Sequence, residues 1–279
     1  MRIRCWGARG SVSISGPGYV VYGGDTTCLE IRGPNDELII VDAGTGIRRL
    51  GNRLIRHGPV ETTILFTHAH WDHISGFPFF KPVFKETTKL EVIACAFSPE
   101  LVRKMLAYTM VAPYFPVPLA KVQAKISYPQ VDRDSFEVGS FMISTVPLSH
   151  PNGGVGYKFR QGGKTFVFLT DNELGHHHSG GLSPEGYQEF CQGADLLFHD
   201  AEYTPEDYPP VKGYGHSTYT EALELAISAG VKKFGLFHHN QDRTDEQIES
   251  MVADCQRRVL EAGSEMGVWA VRVGQTTEI

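Results

Sequence analysis

No run of apolar residues in this chain approaches the roughly 20 that a membrane-crossing helix needs. The opening Met1-Arg2-Ile3-Arg4-Cys5-Trp6 reads as a strand and not as a leader. Both features lead to the expectation of a soluble, cytoplasmic protein with no membrane partner. The five cysteines (Cys5, Cys28, Cys95, Cys191 and Cys255) include no Cys-x-x-Cys pair. An odd number of scattered thiols excludes a disulfide framework and a cysteine-based zinc module, and it suits a reducing compartment. A basic excess is also missing: 26 Lys and Arg face 32 Asp and Glu, for a net charge of -6. Grip on a long nucleic acid through its phosphates ordinarily needs such an excess, so that partner is not expected, whereas a small anionic one is allowed. There is no repeat, linker or low-complexity tract, and residues 1–279 are expected to form one α/β domain.

Glycine, by contrast, is plentiful at 30 residues, which suits many strands joined by tight turns. Arg2 to Trp6, Cys28 to Arg32, Leu38 to Val41, Ile64 to Phe66 and Leu90 to Ala94 are the expected strands of the first half. Ile47 to His57 shows helical spacing (Ile47, Leu50, Leu54) with basic residues on its other face. Strands are expected again at Phe141 to Val146, Val155 to Phe159 and Thr165 to Leu169, the last two joined as a hairpin by Gln161-Gly162-Gly163-Lys164. Helices then fit Pro184 to Cys191, Thr218 to Ala229 and Asp245 to Ala262; strands fit Leu196 to Phe198, Phe234 to Phe237 and Val268 to Val273. The stretch 98–121 differs. Ser98-Pro99-Glu100 is a helix start, but Ala112-Pro113-Tyr114-Phe115-Pro116-Val117-Pro118 cannot be regular structure, and its aromatics make it a candidate lid or dimer contact.

The chemistry is concentrated in Thr67-His68-Ala69-His70-Trp71-Asp72-His73, three imidazoles and a carboxylate directly after a buried strand. Other candidate ligands also come after strands: His150 after Phe141 to Val146, Asp171 after Phe166 to Leu169, and His238 after Phe234 to Phe237. His68, His70 and His150 would take one divalent cation, Asp72, His73 and His238 a second, and Asp171 would bridge them. Register favours His238, with its neighbour His239 as the alternative. Mixed imidazole and carboxylate donors suit zinc, and manganese or iron tolerate the same set.

This pattern resembles the metallo-β-lactamase superfamily over nearly the whole chain. The resemblance implies an αββα sandwich, two mixed β-sheets flanked by helices. True β-lactamases of that fold carry Cys where Asp171 stands, which disfavours antibiotic hydrolysis. His199-Asp200-Ala201 looks like the His-Glu-Ala stretch of the tRNase Z branch, with Asp one methylene shorter than Glu, and Gly215-His216-Ser217-Thr218 looks like that branch's Gly-His-Ser-Thr. By this resemblance His216 protonates the leaving group and Asp200 orients it. Trp6-Gly7-Ala8-Arg9-Gly10-Ser11, Gly23-Gly24-Asp25-Thr26 and Gly76-Phe77-Pro78-Phe79-Phe80 look like a bacterial tRNase Z-like subgroup whose relatives include cyclic-nucleotide phosphodiesterases.

The function implied is hydrolysis of a small phosphodiester, a cyclic nucleotide, by a hydroxide bridging two cations, with Asp72 helping to orient it. tRNA 3′-end cleavage and lactone or thioester hydrolysis are the alternatives on the same site; the short, apolar 98–121 stretch lacks the basic arm expected for tRNA. A homodimer is expected from the resemblance and the aromatic stretch. Several residues carry two readings each. Tyr108, Tyr114 and Phe115 could stack a base or simply pack. Arg9 could meet a phosphate or form a surface ion pair. Asp42 could orient a ligand imidazole or cap a turn. His199 could be a satisfied core residue or act beside Asp200. His176-His177-His178 reads as a solvated loop near the site, not as a chelate.

Overall fold

The computed structural model describes residues 1–279. Fourteen strands form two seven-stranded sheets. The first sheet holds β1 (Arg2–Gly7), β2 (Cys28–Arg32), β3 (Leu38–Val41), β4 (Glu61–Leu65), β5 (Lys89–Ile93), β6 (Lys125–Ser127) and β14 (Thr276–Glu278), in the order β14-β1-β2-β3-β4-β5-β6. The second holds β7 (Ser135–Val138), β8 (Phe141–Pro147), β9 (Val155–Gln161), β10 (Lys164–Leu169), β11 (Leu196–Asp200), β12 (Lys233–Phe237) and β13 (Gly267–Ala270), in the order β13-β12-β11-β10-β9-β8-β7. Both are mixed: β3 to β6 run parallel, as do β10 to β13, and the remaining pairs are antiparallel. The helices are α1 (Ile47–Leu54), α2 (Trp71–Ile74), α3 (Pro99–Thr109), α4 (Pro184–Cys191), α5 (Tyr219–Ser228) and α6 (Asp245–Glu261).

Side chains that alternate along the strands divide the interior into three layers. Ile39, Val41, Leu65 and Ile93 of the first sheet meet Phe159, Phe166, Phe168, Phe198 and Phe237 of the second. Edge-to-face pairs such as Phe168 with Phe237, centroids 5.1 Å apart, hold this middle layer. The intervening residues Leu38, Ile40, Ile64, Leu90 and Val92 pack under α1 and α3. Val167, Leu169, Leu197, Phe234 and Leu236 pack under α4, α5 and α6. Burial on both faces explains why the central strands read as continuous apolar runs. This is the αββα sandwich expected, with two mixed sheets and outer helices.

Helix starts coincide with their caps. The Ser98 hydroxyl accepts from Leu101 N, and Thr218 with Glu221 and Thr244 with Gln247 form capping boxes. Differences from expectation lie in short or edge elements: α1 stops at Leu54, and β6, β7, β14 and the one-turn α2 carried too few residues to show a period. The 98–121 stretch is less loose than its prolines suggest. Helix α3 buries Val102, Met105 and Leu106 against the first sheet, and Phe115 packs edge-to-face on Phe79 at 5.6 Å.

Candidate metal centre

The site is built at the carboxyl ends of β3, β4, β8, β10, β11 and β12. Strand β4 hands over to Thr67, whose amide and hydroxyl both donate to the Asp42 carboxylate at 2.8 Å. Asp42 stands directly after β3 with φ 61°. Asp171 (φ 52°) and His238 (φ 56°), after β10 and β12, share this sparsely populated conformation. A left-handed residue at each of three strand ends is the backbone strain expected where geometry serves a site. His70 then precedes α2, and the single turn directs Asp72 and His73 inward, both buried.

The donor atoms of His68, His70, His150 and Asp171 lie within 4.8 Å of one another, and so do those of Asp72, His73, Asp171 and His238. Asp171 belongs to both groups. Its carboxylate is 3.6 Å from His68 Nε2, 3.2 Å from His73 Nε2, 3.3 Å from His238 Nε2 and 3.9 Å from His150 Nε2. Asp72 Oδ2 is 3.3 Å from His73 Nε2 and 3.1 Å from His238 Nε2. Ligands bonded to one zinc ion at tetrahedral angles stand about 3.3 Å apart, a spacing that these separations of 3.1 to 3.9 Å approach. The Nε2 atoms of His68 and His73 are buried with no hydrogen-bond partner. Buried donors of this kind are costly unless something binds them, so the residues present fit divalent cations.

The opposite edges of the rings are held. His73 Nδ1 pairs with Asp42 at 2.8 Å, His238 Nδ1 with Glu202 at 2.9 Å, and His150 Nδ1 with the Gly215 carbonyl at 2.9 Å. Such partners fix which nitrogen faces inward. His70 differs, presenting Nδ1 at 3.0 Å from His150 Nε2. Ser11 N donates to Asp72 Oδ2 at 2.9 Å, and a Cβ at the preceding Gly10 would overlap the His238 ring, so only glycine allows that loop so close.

Beside these groups, His216 Nδ1 pairs with Asp200 Oδ2 at 2.7 Å, and its ring stacks on His238 with centroids 4.7 Å apart. The shorter Asp therefore still reaches. Burial opposes charge on His216, but the Glu202 and Asp200 carboxylates outweigh it and push the imidazole up to about 9.

The remaining candidates separate clearly. His239 is buried with Nε2 on the Val271 carbonyl at 2.8 Å, away from the cluster, which leaves His238 in the group. Arg9 neither awaits a phosphate nor sits in a surface ion pair: it is fully buried and donates to the carbonyls of Gly23, Asn240 and Arg243. That arginine is spent on tying the β1–β2 loop to the loop that follows β12. Asp42 orients His73, the first of its two readings. His199 is a satisfied core residue, with Nδ1 on the Asp200 carbonyl at 2.7 Å and Nε2 facing Asn172 Nδ2 at 3.1 Å. Of the triple histidine, His178 Nε2 pairs with Glu173 at 2.7 Å. Tyr108 and Tyr114 are 70% and 85% exposed. Two carboxylates carried no mark of their role in the sequence. Glu202 lies two residues beyond Asp200, and Glu173 two beyond Asp171.

Comparison with known proteins agrees with this architecture. Residues 37–239 match the model of the Beta-lactamase superfamily domain. Ribonuclease Z of Bradyrhizobium sp. (strain ORS 278) is 25% identical, over 83% of this chain and 86% of that protein. Unliganded yeast PDE1 superposes with a TM-score of 0.68 at 14% identity, covering 100% of this chain and 99% of that one. A diphosphatase from the PhnP family superposes with a TM-score of 0.69 at 17% identity, covering 100% and 97%. At such identities the structural likenesses establish the fold.

Proposed function

The chain belongs to the metallo-β-lactamase superfamily, whose membership together with the clustered donors supports a metal-dependent hydrolase, and we propose that its substrate is a small phosphodiester, a cyclic nucleotide. In this reading residues 1–279 act as one hydrolase domain. His68, His70 and His150 hold one cation, Asp72, His73 and His238 the other, and Asp171 both; zinc suits the donors first, manganese or iron next. Bound there, the cations would supply Lewis acidity toward the phosphoryl oxygens and acidify water at the site.

The chain's own residues do the rest. Asp42 and Glu202 keep His73 and His238 in the tautomer that presents Nε2. Asp72, fixed by Ser11 N, can accept a proton or hydrogen bond from water. Asp200 holds His216 through Nδ1, which leaves Nε2 to deliver a proton to the departing alkoxide. That last pair carries the proposal: a ring aimed and paired at 2.7 Å beside the donor cluster is what a poor oxygen leaving group requires. A small substrate fits the packed-down α3 and the net charge of -6. The exposed Tyr108 on α3 and Tyr114 beyond its end are the proposed face of a homodimer.

A second reading, tRNA 3′-end cleavage, is favoured by the ribonuclease Z relatives and by Arg48, Arg49, Arg53 and Arg56 on one side of α1 and its end. The test is a substrate panel with zinc- or manganese-loaded protein, a chelated control and His68→Ala. The expected result is chelator-sensitive release of nucleoside monophosphate from 3′,5′-cyclic AMP or cyclic GMP. Cleavage of precursor tRNA alone, or of an acyl-homoserine lactone alone, would replace the proposal with one of its rivals.

A further inference from the structure

Glu173 is a buried carboxylate that belongs to neither donor group. Both its oxygens are fully used. Oε1 accepts from Tyr208 Oη at 2.6 Å and from Gly213 N at 2.7 Å; Oε2 accepts from Gly215 N at 2.7 Å and from His178 Nε2 at 2.7 Å. Two of the four donors are backbone amides of one glycine-rich loop, and Gly213 (φ 91°) and Gly215 (φ 101°) adopt conformations that side chains disfavour. A Cβ at Gly215 would also overlap the His150 ring. Such a loop has little stiffness of its own, and three hydrogen bonds from it to one carboxylate, with His178 holding that carboxylate from the other side, fix it in place.

The loop matters because one of its peptides touches two functional histidines. The Gly215 carbonyl accepts from His150 Nδ1, and the nitrogen of the same peptide belongs to His216. Glu173 is itself anchored to the site: its amide donates to the Ser149 carbonyl at 2.8 Å, and it stands two residues after Asp171. The neighbouring residues extend the link, since Asn172 N donates to Asp200 and Leu174 N to Ser217 Oγ.

We propose that Glu173 is a positioning residue that holds the Tyr208–Gly215 loop so that a single peptide unit sets His150 and His216 together. The proposal rests on the phosphodiesterase reading, in which His216 protonates the leaving oxygen. Glutamine cannot replace Glu173 here, because each carboxylate oxygen accepts from one glycine amide, and the NH2 that takes the place of either oxygen would face an N–H it cannot accept from.

The experiment compares Glu173→Gln with wild type on two phosphodiesters, both proteins assayed at saturating metal so that any weakening of His150 as a ligand does not enter. Cyclic AMP expels an alkoxide that needs a proton; bis(p-nitrophenyl) phosphate expels a phenolate that does not. Expected for the variant is a kcat on cyclic AMP lowered about 10²-fold with KM nearly unchanged, and a loss of only about 5-fold or less on the p-nitrophenyl ester. Equal losses on both would overturn the proposal, since a merely structural defect spares neither. Tyr208→Phe, which removes one donor and leaves the carboxylate, should show the same selectivity at a few-fold scale and decides the matter if the glutamine variant does not fold. Amide exchange at Gly213 and Gly215 in metal-free protein supplies a readout independent of turnover: it should accelerate in the variants, and unchanged exchange contradicts the proposal. Were wild type inactive on both esters, the phosphodiesterase reading would fail while the exchange result still judged Glu173.

Discussion

The two ends of the sandwich use the same residue types to opposite effect. At the far end, the amino ends of β4 and β5 present Glu61, Lys89 and Glu91 to an open cleft of about 640 Å³ shared with Lys125 of β6. Lys89 pairs with Glu61 at 3.2 Å, and the two side chains are 63% and 78% exposed. Water satisfies these groups whether or not they pair, so little depends on any one of them. At the carboxyl ends of the sheets, Asp42, Asp72, Asp171 and Glu202 are buried among His68, His73, His150 and His238. There each charge has a built partner, and removing one partner strands another in a low-dielectric interior. The candidate site and the fragility of the fold therefore concentrate at the same end.

Breaking the contrast at its strongest point means replacing the shared carboxylate. Asp171→Asn should lower turnover about 10³-fold or more, a loss of about 4 kcal/mol of transition-state stabilisation. Steady-state kinetics and elemental analysis check this together, with loss of bound metal expected in the same variant. One step back, Glu202→Gln weakens the hold on His238 Nδ1. A loss of about 10–100-fold in metal affinity or rate is expected, read from a metal titration and then from turnover.

A pH experiment sharpens the comparison at a buried histidine outside the donor cluster, His199, by comparing variant with wild type. Burial holds His199 down to about 4, below its ordinary 6.5. The unfolded chain therefore binds the proton first as the pH falls. The stability conferred by the neutral ring is fully present above pH 6.5 and is lost as the pH drops toward 4, by about 3 kcal/mol in all. Guanidinium unfolding of metal-free wild type and His199→Gln at pH 7.5 and 4.5 measures it, and the variant should show the shallower dependence. The smallest effect belongs to the far end: Lys89→Ala should change stability by less than about 0.5 kcal/mol and leave turnover as it was. A large effect there would erase the contrast.

The same difference explains what could be read in the sequence. His68, His70, Asp72 and His73 announced themselves because four donors sit within six positions on one strand end. His150, Asp171 and His238 were legible because each comes after a strong apolar strand, and the sandwich brings those ends to one rim. Side chains that act through others left weaker marks. Glu202 and Glu173 look like any surface glutamate in sequence, and only the folded chain brings them to His238 and to the glycine loop. Arg9 misled for the converse reason. Arginine is rarely interior, and three backbone carbonyls, one from its own loop and two from the loop after β12, make this one an exception. Strands β6, β7 and β14, of three or four residues each, form because longer neighbours pair with them, and propensity over so few positions does not reveal that.

Turnover of 3′,5′-cyclic AMP, recorded while zinc or manganese is titrated into chelator-treated protein, puts the two-cation phosphodiesterase reading to its sharpest test. The expected result is metal-dependent release of nucleoside monophosphate that rises and saturates at two equivalents of metal per chain. Two equivalents bound with no phosphodiester cleaved would contradict it.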